Sequence, residues 1–294
     1  MKKHYYVIAW ALATLMVTAA CDNDDDDNTT ANSSPVTSGQ LEFPALKGGA
    51  SIVVSHYAEL RSGINGVNYS IEWDTEKHAQ RWSCYKYYSS ISGSSVQRYY
   101  TTNKSLDSSG QYPNDPDLPA EYRFTNDPYW GSGYDHGHIC PSADRLCSKD
   151  ANYQTFFLTN MQPQGNDFNA GIWQEMETTV RKTWGSKYDT LYICKGGTID
   201  SADNIIKYLG SGQNKIPVPR YFFMAVLGRY KNTFRATGFW INQEAYYSQT
   251  PKTYAITIGE LEKKTGIDFF CNLPDDIESQ VENVSKAQML SDWY

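Results

Sequence analysis

Alternation of apolar and polar positions is clearest between Tyr69 and Tyr88, "YSIEWDTEKHAQRWSCYKYY". Two aromatic-rich runs of period two flank Asp74-Thr75-Glu76-Lys77 there and predict a β-hairpin. Short apolar runs predict further strands at 154–160 ("QTFFLTN"), 191–194, 220–227 and 234–241. In "AGIWQEMETTVRKTW" the spacing changes: Ile172, Trp173, Met176, Val180 and Trp184 recur at helical intervals and predict a helix. A second helix is predicted over 257–264, with Gly266 as its stop. Strands mixed with helices, without regular βαβ alternation, predict an α+β fold with a largely antiparallel sheet, as one domain over residues 40–294. Residues 89–135, rich in Ser, Gly, Asn, Asp and Pro, read as one long loop, a kind more often functional than idle.

The first 39 residues follow other rules. Lys2 and Lys3 precede an apolar run from Tyr6 to Ala20, which predicts an export signal over 1–20. Thr18-Ala19-Ala20 directly before Cys21 resembles a bacterial lipobox, which implies cleavage before Cys21 and acylation of its thiol. Residues 21–39, acidic and then rich in Thr, Asn and Ser, predict a flexible tether. The expected location is therefore the bacterial cell envelope, as an outer-membrane lipoprotein facing the periplasm or the cell surface, with the membrane as partner through the Cys21 lipid. No later stretch reaches the ~18 uninterrupted apolar residues of a membrane helix.

Composition changes this picture in two respects. The 40% hydrophobic and 14% aromatic content suffices for a sizeable core. The formal charge is −7; without Lys2, Lys3 and the five tether aspartates, residues 40–294 carry −4. With no global basic field, a polyanionic partner must be held by a local cationic patch and a metal. Beyond Cys21 the cysteines are Cys84, Cys140, Cys147, Cys194 and Cys271, an odd number that leaves at least one thiol free even where export permits disulfides.

Candidate chemistry is concentrated in "GYDHGHICPSADR", residues 133–145, which holds two of the chain's five histidines. An imidazole titrating near neutrality suits a general base. A His-x-His pair leaving one face of a strand also suits a transition metal, with Cys140 or Cys147 completing a zinc site. A loop with no chemistry fits the same residues, so the motif alone leaves three readings open. Downstream, Asn169, Trp173 and Glu177 are spaced i, i+4, i+8, on one side of the predicted helix. A carboxamide oxygen suits a hard cation such as Mg²⁺, and a carboxylate two turns away can orient that ion's water. A helix-capping Asn and a solvated Glu fit the same spacing.

Taken together, "YDHGHICPSADR" and "FFLTNMQPQGNDFNAGIWQEMETTVR" resemble the DNA/RNA non-specific endonuclease family, the sugar-non-specific ββα-metal nucleases. The matching residues are Asp135-x-Gly137-His138, Thr159-Asn160-Met161-x-Pro163-Gln164, Asn169-x-Gly171-x-Trp173 and Glu177. The likeness implies the ββα-metal nuclease fold, its central sheet flanked by helices, from about Tyr69 to the segment "TGIDFFCNLPDD". It implies His138 as general base, Asn169 as protein ligand of Mg²⁺ or Mn²⁺, Glu177 as holder of the ion's water, and Asn160 as support for the histidine. Arg98 is implied as the phosphate arginine, with Arg123 as its rival; Asp135 and His136 are implied as substrate-binding. The substrates implied are DNA and RNA, and no protein partner is indicated. The chain departs from the family pattern at His136, where the hallmark carries arginine, so phosphate contact there is expected to be weaker and pH-sensitive. Two other readings remain: a lipoprotein binding glycan or protein through some of its 23 Tyr and 8 Trp, and a zinc hydrolase.

Overall fold

The structure, a computed structural model, describes residues 40–244 and 250–294. The export signal, the Cys21 lipid site and the tether lie outside the described residues. Eleven strands follow the chain: β1 Ser51–Arg61, β2 Ile64–Asp74, β3 Ala79–Tyr88, β4 Asp135–His138, β5 Met161–Gln164, β6 Thr190–Gly197, β7 Ile205–Leu209, β8 Ile216–Pro219, β9 Tyr221–Tyr230, β10 Thr233–Asn242 and β11 Ala255–Ile256. Seven of them form one sheet in the order β1-β2-β3-β6-β9-β10-β11, while β4 pairs with β5 and β7 with β8. Every pairing is antiparallel.

The central strands read as apolar runs because both faces of the sheet are covered. Along β9, Phe222, Met224 and Val226 enter one core and Phe223, Ala225 and Leu227 the other. Leu191 and Ile193 of β6 enter the first of these cores, with Tyr192 and Cys194 in the second. Such strands keep the period of two in geometry while losing it in polarity.

The first face is covered by an irregular helix. A helical segment α2 (Gln174–Thr178) is extended by π-helical turns at Phe168–Trp173 and Thr179–Trp184, with a kink at Gly171. Trp173, Met176, Val180 and Trp184, the stripe expected from sequence, are all buried on that side. Among the other helices α1 is Lys149–Gln154, α3 Ile258–Thr265, α4 Asp275–Glu282 and α5 Lys286–Trp293. Helices α3 and α4 supply the opposite core, including Ile258, Leu261 and Val281. Helix α3 begins with a capping box, Thr257 with Glu260, and ends at Gly266, whose φ of 69° is the left-handed conformation that favours glycine. Among the described residues no helix is long and apolar enough to cross a membrane.

One expectation changes. The run 154–160 is not a strand: Gln154 closes α1, Leu158–Asn160 is a 3₁₀ turn, and the strand starts at Met161. Its apolar residues Phe156, Phe157 and Leu158 are consecutive and all buried, which wraps a turn into the core instead of alternating across a sheet. The five described cysteines, including Cys140 and Cys147, are free thiols. The long loop of residues 89–134 has only short 3₁₀ turns, at Ser89–Ile91 and Ala120–Tyr122, and lies along the edge of a cavity described next.

Candidate active site

Strands β4 and β5 and the helix that follows form a small ββα unit against the sheet. Register pairs Gly137 with Gln162 and His138 with Met161. Glycine is required at 137 by close approach: a Cβ there would lie 2.3 Å from Cδ of Gln164. Successive strand side chains leave opposite faces, so His136 and His138 share one. Both meet Tyr112, whose ring stacks on His136 at 3.7 Å and stands edge-on to His138 at 6.4 Å.

Asn160 secures the end of β4 from beneath. Its Oδ1 accepts from the Cys140 amide at 2.8 Å, and its Nδ2 donates to the carbonyls of Cys140 and Thr155 at 2.9 and 2.8 Å. Fully buried, it does not line the cavity. Its expected catalytic part therefore becomes a positioning one, fixing the chain directly after His138.

A cavity of about 670 Å³ opens beside this unit, and its walls include Arg98, Asp135, His136, His138, Asn169 and Glu177. Six of the seven site residues expected from sequence thus come together. His138 Nε2 is buried without a protein partner. Burial, reinforced by the charges of Arg98 and His136, holds His138 well below the ordinary histidine range, so the ring is neutral at neutral pH. Phe156 meets the ring edge-on at 4.8 Å, with the Arg98 guanidinium over Phe156 at 4.9 Å.

Asn169 does not cap its helix. Its Nδ2 donates to Asp135 Oδ2 at 3.0 Å, beside a matching bond from Asn166 at 2.9 Å. Asp135 is therefore an orienting group: it holds the amide nitrogen and turns Oδ1, the hard-cation donor, the other way. Asn169 and His138 line the same cavity, a pairing of donors that fits a divalent ion and a base.

Glu177 lies two turns along, as the spacing predicts, despite the kink at Gly171. Its carboxylate meets Lys195 Nζ at 2.5 Å, and the Lys195 side chain is 0% exposed. Burial raises the Glu177 carboxyl above the usual carboxylate range, with Lys195 opposing that rise.

A model of the DNA/RNA non-specific endonuclease family matches residues 58–276. The chain belongs to that family. A nuclease of Nostoc sp. is 30% identical over 224 residues, covering 73% of this chain and 75% of its own. The mitochondrial nuclease EXOG of Xenopus laevis is 25% identical over 223 residues, 71% of this chain and 58% of the relative. The chain thus spans under two thirds of the length of EXOG. In the crystal structure of the EndoG/EndoGI complex, a chain aligns with a TM-score of 0.57 at 22% identity, over 71% of this chain and 85% of that one. The α+β architecture with its large antiparallel sheet is therefore that of a ββα-metal nuclease.

Within this endonuclease family member, two expected residues take unexpected surroundings. His136 is held between Tyr112 and Tyr129, at 3.7 and 4.4 Å, and its Nε2 bonds Asp127 at 2.8 Å. With that nitrogen occupied and the side chain 8% exposed, it is poorly disposed to take the place of a phosphate-forking arginine. Arg123 bonds the Leu118 and Pro116 carbonyls of its own loop, whereas Arg98 lines the cavity and donates to Ser142 Oγ. Arg181 also lines the cavity, its Nη1 2.9 Å from Asp144. Neither Arg181 nor Lys195 was singled out by sequence reasoning. Arg181 follows Glu177 by four residues, and Lys195 interrupts an otherwise apolar strand; both signals were present. Among the described residues neither Cys140 nor Cys147 belongs, with His136 or His138, to a group of side chains close enough to hold a metal ion.

Proposed function

We propose that the protein is a divalent-metal-dependent endonuclease that hydrolyses phosphodiester bonds of DNA and RNA with little sequence preference. The observation that carries this reading is His138: a neutral imidazole lining the cavity that also holds Asn169 and Glu177. The proton of an attacking water passes to the His138 imidazole, and the water oxygen bonds phosphorus as the ester P–O bond breaks. The leaving oxygen takes a proton from water, giving a phosphate monoester and an alcohol. Mg²⁺ or Mn²⁺ on Asn169 Oδ1 would supply charge neutralisation at the phosphate. Asp135 keeps Oδ1 turned to that task, and Glu177, paired with Lys195, adds a carboxyl group to orient water. Arg98 supplies the free cation for the phosphate, with Arg181 tied to Asp144. Contacts made to phosphate alone read no base, which accounts for the expected indifference to sequence.

Plasmid and a folded RNA incubated with wild type and Mg²⁺ should be degraded, with little cleavage by Asn169→Ala, His138→Ala or wild type in EDTA. Equal degradation in all samples would refute the reading. For the N-terminal segment we propose export and lipidation at Cys21, anchoring residues 40–294 to the outer membrane, facing the periplasm or the cell surface. Mass spectrometry of membrane-extracted protein should find a diacylglyceryl group on Cys21; an unmodified, unprocessed N-terminus contradicts it.

A further inference from the structure

A second groove, of about 450 Å³, runs off the cavity and shares Arg98, Tyr112 and Trp130 with it. Its far wall is the segment from Tyr99 to Lys104, and no carboxylate lines it, in a chain whose overall charge is −7. Two aromatic rings stand open to solvent along it: Tyr100 is 78% exposed and Trp130 46%. Lys104 Nζ sits 4.2 Å from the centroid of the Trp130 ring. Two such rings gathered on one groove form the kind of clustered exposed apolar surface that marks an interaction site.

The groove is also held in shape. The Tyr99 amide donates to Asn152 Oδ1 at 2.7 Å, and the Tyr99 hydroxyl to the Gly110 carbonyl at 2.9 Å. Thr101 N donates to Gln111 Oε1 at 2.7 Å, and Gln111 N to the Asn103 carbonyl at 2.9 Å. Gly110 admits no side chain, since a Cβ would lie 1.8 Å from the Ser105 carbonyl oxygen. The aromatic wall is thus presented by a loop tied to itself and to α1.

We propose that this groove is a base-stacking subsite for single-stranded nucleic acid, adjoining the phosphodiester cavity. The inference rests on the nuclease reading for what occupies the cavity and deepens it by naming the form of substrate. Exposed aromatic rings beside cations are what an unpaired strand needs: each base has a π-face and each nucleotide a phosphate. Bases inside a duplex are already stacked on their neighbours and present no face to Tyr100 or Trp130. Arg98, at the junction of groove and cavity, meets the phosphate between the stacked base and the scissile bond.

The test is binding, measured with the full chain in EDTA by fluorescence anisotropy. The probes are a labelled single-stranded oligonucleotide, its duplex, and a strand of the same length made of abasic sites. Wild type should bind the single strand more tightly than the duplex. Tyr100→Ala and Trp130→Ala should each weaken the single strand about 5- to 150-fold, the equivalent of ~1–3 kcal/mol of stacking per base. Neither should change binding of the abasic strand. Because Tyr100 is so exposed, its variant leaves the fold undisturbed even if Trp130→Ala perturbs the neighbouring His136. Equal losses on the abasic strand, or a duplex bound more tightly than the single strand, overturn the proposal. Base-dependent binding by a wild type that cleaves nothing with Mg²⁺ would remove the nuclease reading and leave the subsite standing.

Discussion

Replacing Lys195 by methionine isolates one buried charge pair beneath the cavity. The pair is short, 2.5 Å, and its lysine is wholly buried, so water screens it little. At an effective dielectric near 20 the gross attraction is about 6–7 kcal/mol. Much of that offsets the cost of taking two charges out of water, and breaking such a pair from one side typically costs ~3–5 kcal/mol. Methionine keeps the contact with Trp173, over which Lys195 Nζ sits at 4.6 Å, so the loss is mainly electrostatic. For a domain of this size that predicts a fall in Tm of roughly 6–20 °C at neutral pH. The pH dependence has a definite sign. Burial already raises the Glu177 carboxyl, and Lys195 is the first of the groups that oppose the rise. Without Lys195 the carboxyl rises further, and its protonation then favours the folded state. The penalty is full at neutral pH and shrinks as pH falls into the carboxylate range. Adding Glu177→Gln to Lys195→Met should recover most of the stability, since neither buried charge remains. The assay is urea unfolding in EDTA at several pH values. A penalty below ~1 kcal/mol, or one that does not change with pH, refutes the reasoning.

Gly137→Ala forces a Cβ into the Gln164 side chain and should destabilise by about 1–3 kcal/mol in urea unfolding, with lowered activity as β4 shifts. Asn160→Ala strips partners from the buried Cys140 amide and carbonyl, at roughly 1–3 kcal/mol each, and should lower kcat more than it raises KM, because it displaces His138 without touching substrate. With His138 held well below its ordinary value of 6.5, kcat/KM should remain on its plateau as pH falls through 6.5; half-loss there that vanishes in His138→Ala would contradict the desolvated base.

Legibility varied with how local the cause was. Helix α3 was readable almost to the residue, because Thr257, Glu260 and Gly266 are terminal signals that act within one turn. The stripe from Ile172 to Trp184 was readable too, although its π-helical turns and the kink at Gly171 leave no mark on periodicity. The run 154–160 misled because consecutive buried apolar residues suit a core turn as well as a strand. At the site, His138, Asn169 and Glu177 were found through linked motifs. Lys195 reaches them from a distant strand, through a sheet pairing that no local spacing encodes. Tyr112, Asp127 and Trp130 come from a loop whose packing has no period, so their convergence on His136 was invisible in one dimension.

The central claim is that the His138 imidazole removes the proton from the attacking water. Single-turnover cleavage of an oligonucleotide by His138→Ala, with and without added imidazole, addresses it directly. The variant should be slower than wild type by ~10²–10⁴-fold, and free imidazole should restore rate in proportion to its concentration. An unimpaired His138→Ala, or an impaired one indifferent to imidazole while still binding substrate, would contradict the account.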